Sequence, residues 1–532
     1  MVSVAAEPLG PTRAERAALR LLQLGAVAVV LAASTHRTFE LDRFFVPKEL
    51  ALHLTALLAG VLAAGAFRRA GLTRVDLLLA GYLVLSAVSA LLAANGWAAL
   101  RALAVSVSGV AVFWAARGLR AAGLSRPLLA GVALAAVLGA ATALLQAYGV
   151  RPELFSVNRA PGGTLGNRNF VAHLAAFAFP VVLLGALRAW RPAGYLLGAV
   201  GVGITTATLV LTRSRAGWLA VAAGLAVMLV AMVASGPLRR HGRTWARLAG
   251  VLLLVGAGGA AAVLLPNALR WRTDNPYAES ARGLVEYREG SGAGRLVQYR
   301  RSLEMAAGRP LLGVGPGNWS VAYPAHAPRG DPSLDRRAAG TTSNPWPSSD
   351  WVAFVAERGF PAALLLAAAL GWMALSALRR LLRARDADEA LTSAALVATV
   401  AAATVAGMFD AVLLLALPSL LVWAALGALW QPEREHARPP RSGLGAVALV
   451  AVALAAGAGA ARSAGQLAAM HLHDEGGRDA LERAARLDPG NYRVRLRLAR
   501  TGPRAARCEH ALAARALFPA AAAAREAARG CD

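Results

Sequence analysis

Apolar residues along this chain gather into runs of about 20, the length at which a helix crosses the hydrocarbon core of a bilayer. The runs are centred near residues 26, 58, 85, 107, 138, 179, 203, 225, 256, 365, 400, 420 and 452, and most connections between them are short and polar. Continuous apolarity over such lengths predicts helices rather than strands, because half-buried strands alternate and are shorter. The fold class is therefore all-α: a polytopic membrane protein of about thirteen transmembrane helices with a large outer loop and a small helical C-terminal domain. The first nine spans fall in residues 1–265, the large loop in 266–350, the last four spans in 351–461 and the tail in 462–532. The first run follows an arginine-bearing leader and lacks a small-residue cleavage site, so it reads as a retained span that starts inside.

Charge sets the orientation. With 57% hydrophobic residues and a mean hydropathy of +0.49, a soluble core is excluded. The net charge of +26 is dispersed among the connections, which speaks against nucleic acid as a partner. Lys48 is the sole lysine, and the abundance of arginine and alanine reads as a coding bias. With the amino terminus inside, the inner connections "RRAGLTR", "RGLRAAGLSR", "RAWRP", "SGPLRRHGRTWAR", "RRLLRARDADEA" and "QPEREHARPPR" carry 19 arginines, as the positive-inside rule requires.

Two outer segments run against that bias, "GVRPELFSVNRAPGGTLGNRN" and "TRSR". Arg213 and Arg215 thus lie outside, where orientation does not need them. An arginine's planar fork of donors suits a diphosphate at a membrane surface; snorkelling to lipid headgroups or capping of helix carbonyls is the alternative. Upstream, Asn167, Arg168, Asn169 and His173 follow a glycine-rich turn in which Gly162, Gly163 and Gly166 permit close backbone approach. The asparagines can also simply cap the next helix. His173 can hydrogen-bond a neighbouring helix, yet an ionisable group inside a span is by default a functional candidate.

The large loop is polar and contains aromatic residues. In "GRLVQYRRSLEMAAGRPLLGVGPGNWSVAYP", Leu296, Tyr299, Leu303 and Met305 fit an amphipathic helix, and Arg295 at its start is a further substrate-binding candidate. "GVGPGN" is a turn and not a dinucleotide motif, since no strand precedes it.

These stretches together resemble the O-antigen ligase and polymerase superfamily of bacterial envelope glycosyltransferases. The resemblance rests on "FFVPKELALHL" before the second span, "GTLGNRN" before the sixth, "TRSRAG" between the seventh and eighth, and "RPLLGVGPGN" with "SDWVAFVAERGFPA" around the loop, over roughly residues 40 to 430. It implies transfer of a glycan from a polyprenyl diphosphate carrier to a lipid, protein or glycan acceptor. The reaction would take place at the periplasmic face of the bacterial inner membrane, with neither cofactor nor metal. In such a family the arginines matched by Arg213 and Arg215 engage the donor diphosphate, whose developing negative charge preorganised cations stabilise. The C-terminus is then periplasmic. The chain departs from the family at one point: Ser348 and Ser349 stand where ligases carry a His-Asn pair, whose histidine is the proposed base. Serine cannot act as a general base at neutral pH. Asp350 is the nearest carboxylate and His326 lies in the same loop, and neither has a spacing argument behind it. A non-catalytic membrane scaffold of the same fold, acting through its tail, is the alternative function.

The tail segment "ALERAARLDPGNYRVRLRLAR" resembles part of a tetratricopeptide repeat, and Pro489 and Pro519 mark corresponding turns. Such stacked helices commonly bind a protein partner. Cys508 and Cys531, the only cysteines, have their midpoint beside the Phe518–Pro519 turn, so a helical hairpin would bring them together as a disulfide.

Overall fold

The computed structural model describes residues 10–156, 158–271, 273–283, 290–335, 341–432 and 443–531. The connection after Pro432, expected on the inner side and carrying three arginines, lies outside the described residues. The helices, in chain order, begin with α1 (Arg13–Leu31), α2 (Asp42–Ala70), α3 (Arg74–Leu91), α4 (Gly96–Ala121), α5 (Ser125–Ala147), α6 (Arg168–Leu187), α7 (Pro192–Thr212) and α8 (Arg215–Ala234). A short α9 (Gly236–Arg239) leads to α10 (Gly242–Leu264). The large loop holds α11 (Pro276–Arg282), α12 (Gly290–Ala307), α13 (Trp319–Ala322) and a two-stranded antiparallel ribbon, β1 (Leu334–Asp335) with β2 (Thr341–Thr342). Then come α14 (Asp350–Arg383), α15 (Ala387–Phe409), α16 (Ala416–Leu429) and α17 (Leu444–Glu475), and the tail adds α18 (Arg478–Leu487), α19 (Tyr492–Leu498), α20 (Arg504–Leu517) and α21 (Ala522–Ala527).

Each of the thirteen apolar runs is a helix, and 11 of these are long and apolar enough to cross a membrane. The other two are α1, whose first half carries Arg13, Glu15, Arg16 and Arg20, and α16, with only 14 residues. Local chemistry explains many boundaries. Thr12 and Glu15 form a capping box at α1, Ser214 caps α8, Ser349 caps α14 and Asp386 caps α15, each satisfying a backbone N–H that the first turn leaves free. Pro192 opens α7 where no N–H is needed.

α6 sits at the centre of the bundle, with 89% of its apolar stretch buried, whereas α10 has only 17% buried and lies at the edge. α14 is broken at Gly359, whose φ of 78° only glycine adopts without strain. The loop turn inserts at that break: Val314 and Gly315 donate to the carbonyls of Ala356 and Glu357 at 3.0 and 2.8 Å, and Phe360 donates to Pro310 at 2.9 Å. "RPLLGVGPGN" and "ERGFPA" are thus the two halves of one docking unit. Asn318, at the end of that turn, exchanges hydrogen bonds with the Asn95 backbone at 2.8 and 3.0 Å. The loop has its own small core around Trp319, Tyr323 and Met305.

Connections alternate between two faces. On one, Arg188 holds Asp388 through two bonds of 2.6 Å and Arg120 reaches Gln431. On the other lie the large loop, the 148–167 connection, the 212–215 turn and the tail. There, α18 packs on α17 and α20 packs on α19 and α21, and Cys508 and Cys531 form a disulfide that closes the α20–α21 hairpin.

Candidate functional site

The 212–215 turn is built to present its arginines. Arg213 ends α7 in the left-handed region, with φ 55°, and Arg215 begins α8 one residue after the Ser214 cap. A left-handed arginine is uncommon enough to point to a local constraint. The α11 segment supplies it: Arg213 donates through Nε to Ser280 Oγ at 2.9 Å and through Nη2 to Glu279 at 2.8 Å, and Arg215 donates to the Gly283 carbonyl. Glu279 is exposed, and hydrogen bonds from Thr273 and Arg213 hold its carboxyl below the ordinary range.

Arg168, at the start of α6, joins this cluster. Its guanidinium lies 5.4 Å from the centre of the Trp271 ring and that of Arg213 lies 4.8 Å from the same ring, so one indole carries two cations. Arg159 and Arg213 are both within electrostatic reach of Arg168. Trp271 has no motif around it and escapes a reading of the sequence.

Asn167 caps α6, its side chain accepting from Asn169 N–H at 3.0 Å. The glycine-rich turn before it packs against protein: Gly162 and Gly163 donate to Gln146 Oε1 at 2.7 and 2.8 Å, and a Cβ at Gly166 would collide with the Phe44 ring. Lys48 reaches the Thr164 carbonyl at 2.9 Å and also that of Ala32, which fastens the turn to α1 and α2.

His173 is 1% exposed, and among the described residues neither ring nitrogen has a hydrogen-bond partner. Beside it a small cavity is lined also by Lys48, Phe45 and Ala411. Asp410 and Arg295 lie within electrostatic reach of the imidazole.

Asp350 is wholly buried, and both its oxygens are committed. Oδ1 accepts from Val412 N–H at 2.9 Å and Oδ2 from Leu413 N–H at 2.8 Å. These residues belong to the non-helical link 410–415 between α15 and α16, and their backbone donors lie outside any helical hydrogen-bond ladder. Ser349 caps α14 and donates to Gly407 at 3.1 Å; Ser348 N–H donates to Gln298 at 2.7 Å. His326 is exposed at the end of the Tyr323–Ala325 turn. Neither Asp350 nor His326 shares a hydrogen bond, ion pair or ring contact with the arginine cluster among the described residues.

A second group of charges has no counterpart in the sequence reading. Arg101 donates to Asp42 at 2.8 Å and to both Glu49 oxygens at 2.9 and 3.0 Å, at the N-terminal ends of α2 and α4. Asp42 and Glu49 are seven residues apart, two helical turns on one face of a span, and that spacing was the available signal. This network borders a cavity of about 330 Å³ that is also lined by Trp346 of the loop and Tyr492 of the tail.

None of the curated proteins matches the chain. Residues 200–367, from α7 through the arginine turn and the large loop to the middle of α14, match the O-antigen ligase family. With 11 helices long and apolar enough to cross a membrane among its described residues, the chain is an all-α polytopic membrane protein that contains a segment similar to the O-antigen ligase family.

Proposed function

We propose that the chain transfers glycan from a polyprenyl diphosphate carrier to an acceptor at the outer face of the bacterial inner membrane. The observation that carries the reading is the convergence of Arg168, Arg213 and Arg215 at the loop-bearing face, two of them on the Trp271 ring. Cations arranged before the reaction stabilise the charge that grows on a departing diphosphate without further reorganisation. Glu279 and the Gly283 carbonyl occupy Arg213 and Arg215 in this state, so an incoming diphosphate would exchange with the α11 segment. Asn167, Asn169, His173 and Arg295 frame the site from α6 and α12.

Of the two proton-acceptor candidates, His326 is open to an acceptor hydroxyl, whereas Asp350 is committed to backbone. We assign Asp350 a positioning role in ordering the 410–415 link beside His173, and His326 the proton-accepting role. One observation favours the second reading, a non-catalytic scaffold: Ser349 caps α14 in the place where ligases carry the His-Asn pair.

Deletion of the gene, followed by analysis of lipid-linked and surface glycans, tests both. Carrier-linked glycan should accumulate, and Arg215→Ala should fail to clear it while the native chain succeeds. Unchanged lipid-linked and surface glycans in the deletion strain would leave the scaffold.

A further inference from the structure

We propose that the 330 Å³ chamber between the N-terminal ends of α2 and α4, the loop around Trp346 and the tail turn 488–492 is a saccharide-binding site, and that the C-terminal tail is its lid. The chamber lies at the lower end of the ~300–1,000 Å³ that small-molecule sites occupy. Its walls differ in kind from the arginine cluster. Arg101 is balanced by Asp42 and Glu49, and carboxylates and guanidinia alternate with aromatic rings. A diphosphate would find no surplus of positive charge. A hydroxyl-rich neutral ligand needs donors and acceptors together and apolar faces against which its C–H surfaces stack. Trp97, Trp346, Tyr492 and Phe518 provide those faces, the last two with ring centres 4.7 Å apart. Arg462 leans over the Trp97 ring at 5.4 Å, and among the described residues its buried Nε–H meets no acceptor.

The tail is seated firmly enough to serve as a wall. Trp97 Nε1 donates to Asp488 at 2.6 Å, Arg493 to the Thr38 carbonyl at 2.5 Å, and Asn95 to the Leu517 carbonyl at 3.2 Å. A Cβ at Gly490 would collide with the Trp97 indole, so the turn lies flush on that ring.

The chamber also adjoins the arginine cluster. Phe45 and Trp346, which line it, pack on Phe170 with ring centres 5.6 and 6.3 Å away, and Phe170 is two residues after Arg168. A sugar held in the chamber would thus lie across one aromatic wall from a diphosphate held by the arginines. That juxtaposition rests on the proposed glycan transfer; saccharide binding by the chamber does not.

The test uses the full chain in lipid nanodiscs and, as probe, the oligosaccharide freed from the producing bacterium's own lipid-linked pool by mild acid, without carrier or phosphate. Saturation-transfer NMR should show binding to the native chain and equally to Arg215→Ala. Tyr492→Ala and Trp346→Ala should each weaken it at least tenfold, with the tail still docked by protease resistance. Trp346 lies outside the tail, so its variant reports on the chamber even if Tyr492→Ala loosens the lid. Absence of binding to the native chain, or equal binding by both variants, overturns the proposal. Binding that depends on these residues in a chain without transfer activity would uphold the chamber and reject the proposed function. Native transfer rates in both variants would do the reverse.

Discussion

Replacing Asp350 by asparagine separates a positioning carboxylate from a base. The native side chain receives Val412 N–H at 2.9 Å and Leu413 N–H at 2.8 Å. Asparagine has one acceptor oxygen, so one of these donors would face an NH2 group instead. A lost charge-assisted bond costs about 1.5–3 kcal/mol and an unsatisfied buried N–H costs a similar amount. Removing a buried charge returns part of this. The net destabilisation expected is therefore about 1–3 kcal/mol. Gly407→Ala approaches the same carboxylate from the other side, since its Cβ would lie 2.8 Å from Asp350 Oδ2, and it alters no proton chemistry. Both variants should lower the thermal midpoint of the purified protein, read by loss of the monodisperse peak after heating. Both should transfer glycan in membrane vesicles in proportion to the folded protein and recover on cooling. An Asp350→Asn variant with an unchanged midpoint and abolished transfer would refute the positioning role and make Asp350 the base.

Arg215→Ala should reduce transfer about 10²-fold with normal membrane abundance, the loss typical of one preorganised donor. Arg213→Ala should cost less because Glu279 and Ser280 already engage that guanidinium, and Arg215→Lys should recover only part, having lost the planar fork. Near-native transfer by both alanine variants would remove the diphosphate assignment. The Glu279 carboxyl is held below its ordinary 4.5 by hydrogen bonds from Thr273 and Arg213, so its contribution is present above that value and is lost as pH falls through the lowered one. Protease cleavage in 276–283 should rise in acid until it matches that of Glu279→Gln, and a constant ratio between the two would contradict the contact's role. The Cys508–Cys531 bridge closes a loop of sequence separation 23, which in the chain-entropy model stabilises by roughly 3 kcal/mol. Both thiols should label only after reduction, by a reagent that does not cross the membrane; labelling without reductant would count against the bridge, and labelling only in broken cells would count against an outward tail.

The bilayer made most of this fold legible, because each crossing must be a self-satisfied helix of a fixed length. The break between α15 and α16 was not, since its backbone is satisfied by Asp350, 62 and 63 residues earlier in the chain. For the same reason Asp350 reads in the sequence as a spare carboxylate next to a missing histidine. Arg213 and Arg215 stood out because the charge bias of the connections assigns them to the arginine-poor side. Trp271, which gathers Arg168 and Arg213, sits in a stretch without periodicity and gives no such signal. The chamber is assembled from residues as distant as Asp42, Trp346 and Tyr492, so only the packing of loop and tail on the helix ends reveals it.

That packing depends on an odd number of crossings. Arg213 with Glu279, Lys48 with Thr164, Asp350 with Val412 and Trp97 with Asp488 all join connections or helix ends on one face of the bundle. Arg188 with Asp388 and Arg120 with Gln431 join the connections between them, on the other. α17 must therefore cross after α16 for Asp488 to reach Trp97. α16 is short, at 14 residues, and α17 long, at 32; at 1.5 Å per residue the second rises about 27 Å further than the first. The surplus carries Arg462 and Gln466 to the chamber wall, before the helix hands over to the tail. The last span thus serves as the post on which the lid is mounted as well as an anchor. A chain ended before α17 would keep the arginine turn, the large loop and Asp350 with its two backbone donors, and would lose one wall of the chamber together with its cover.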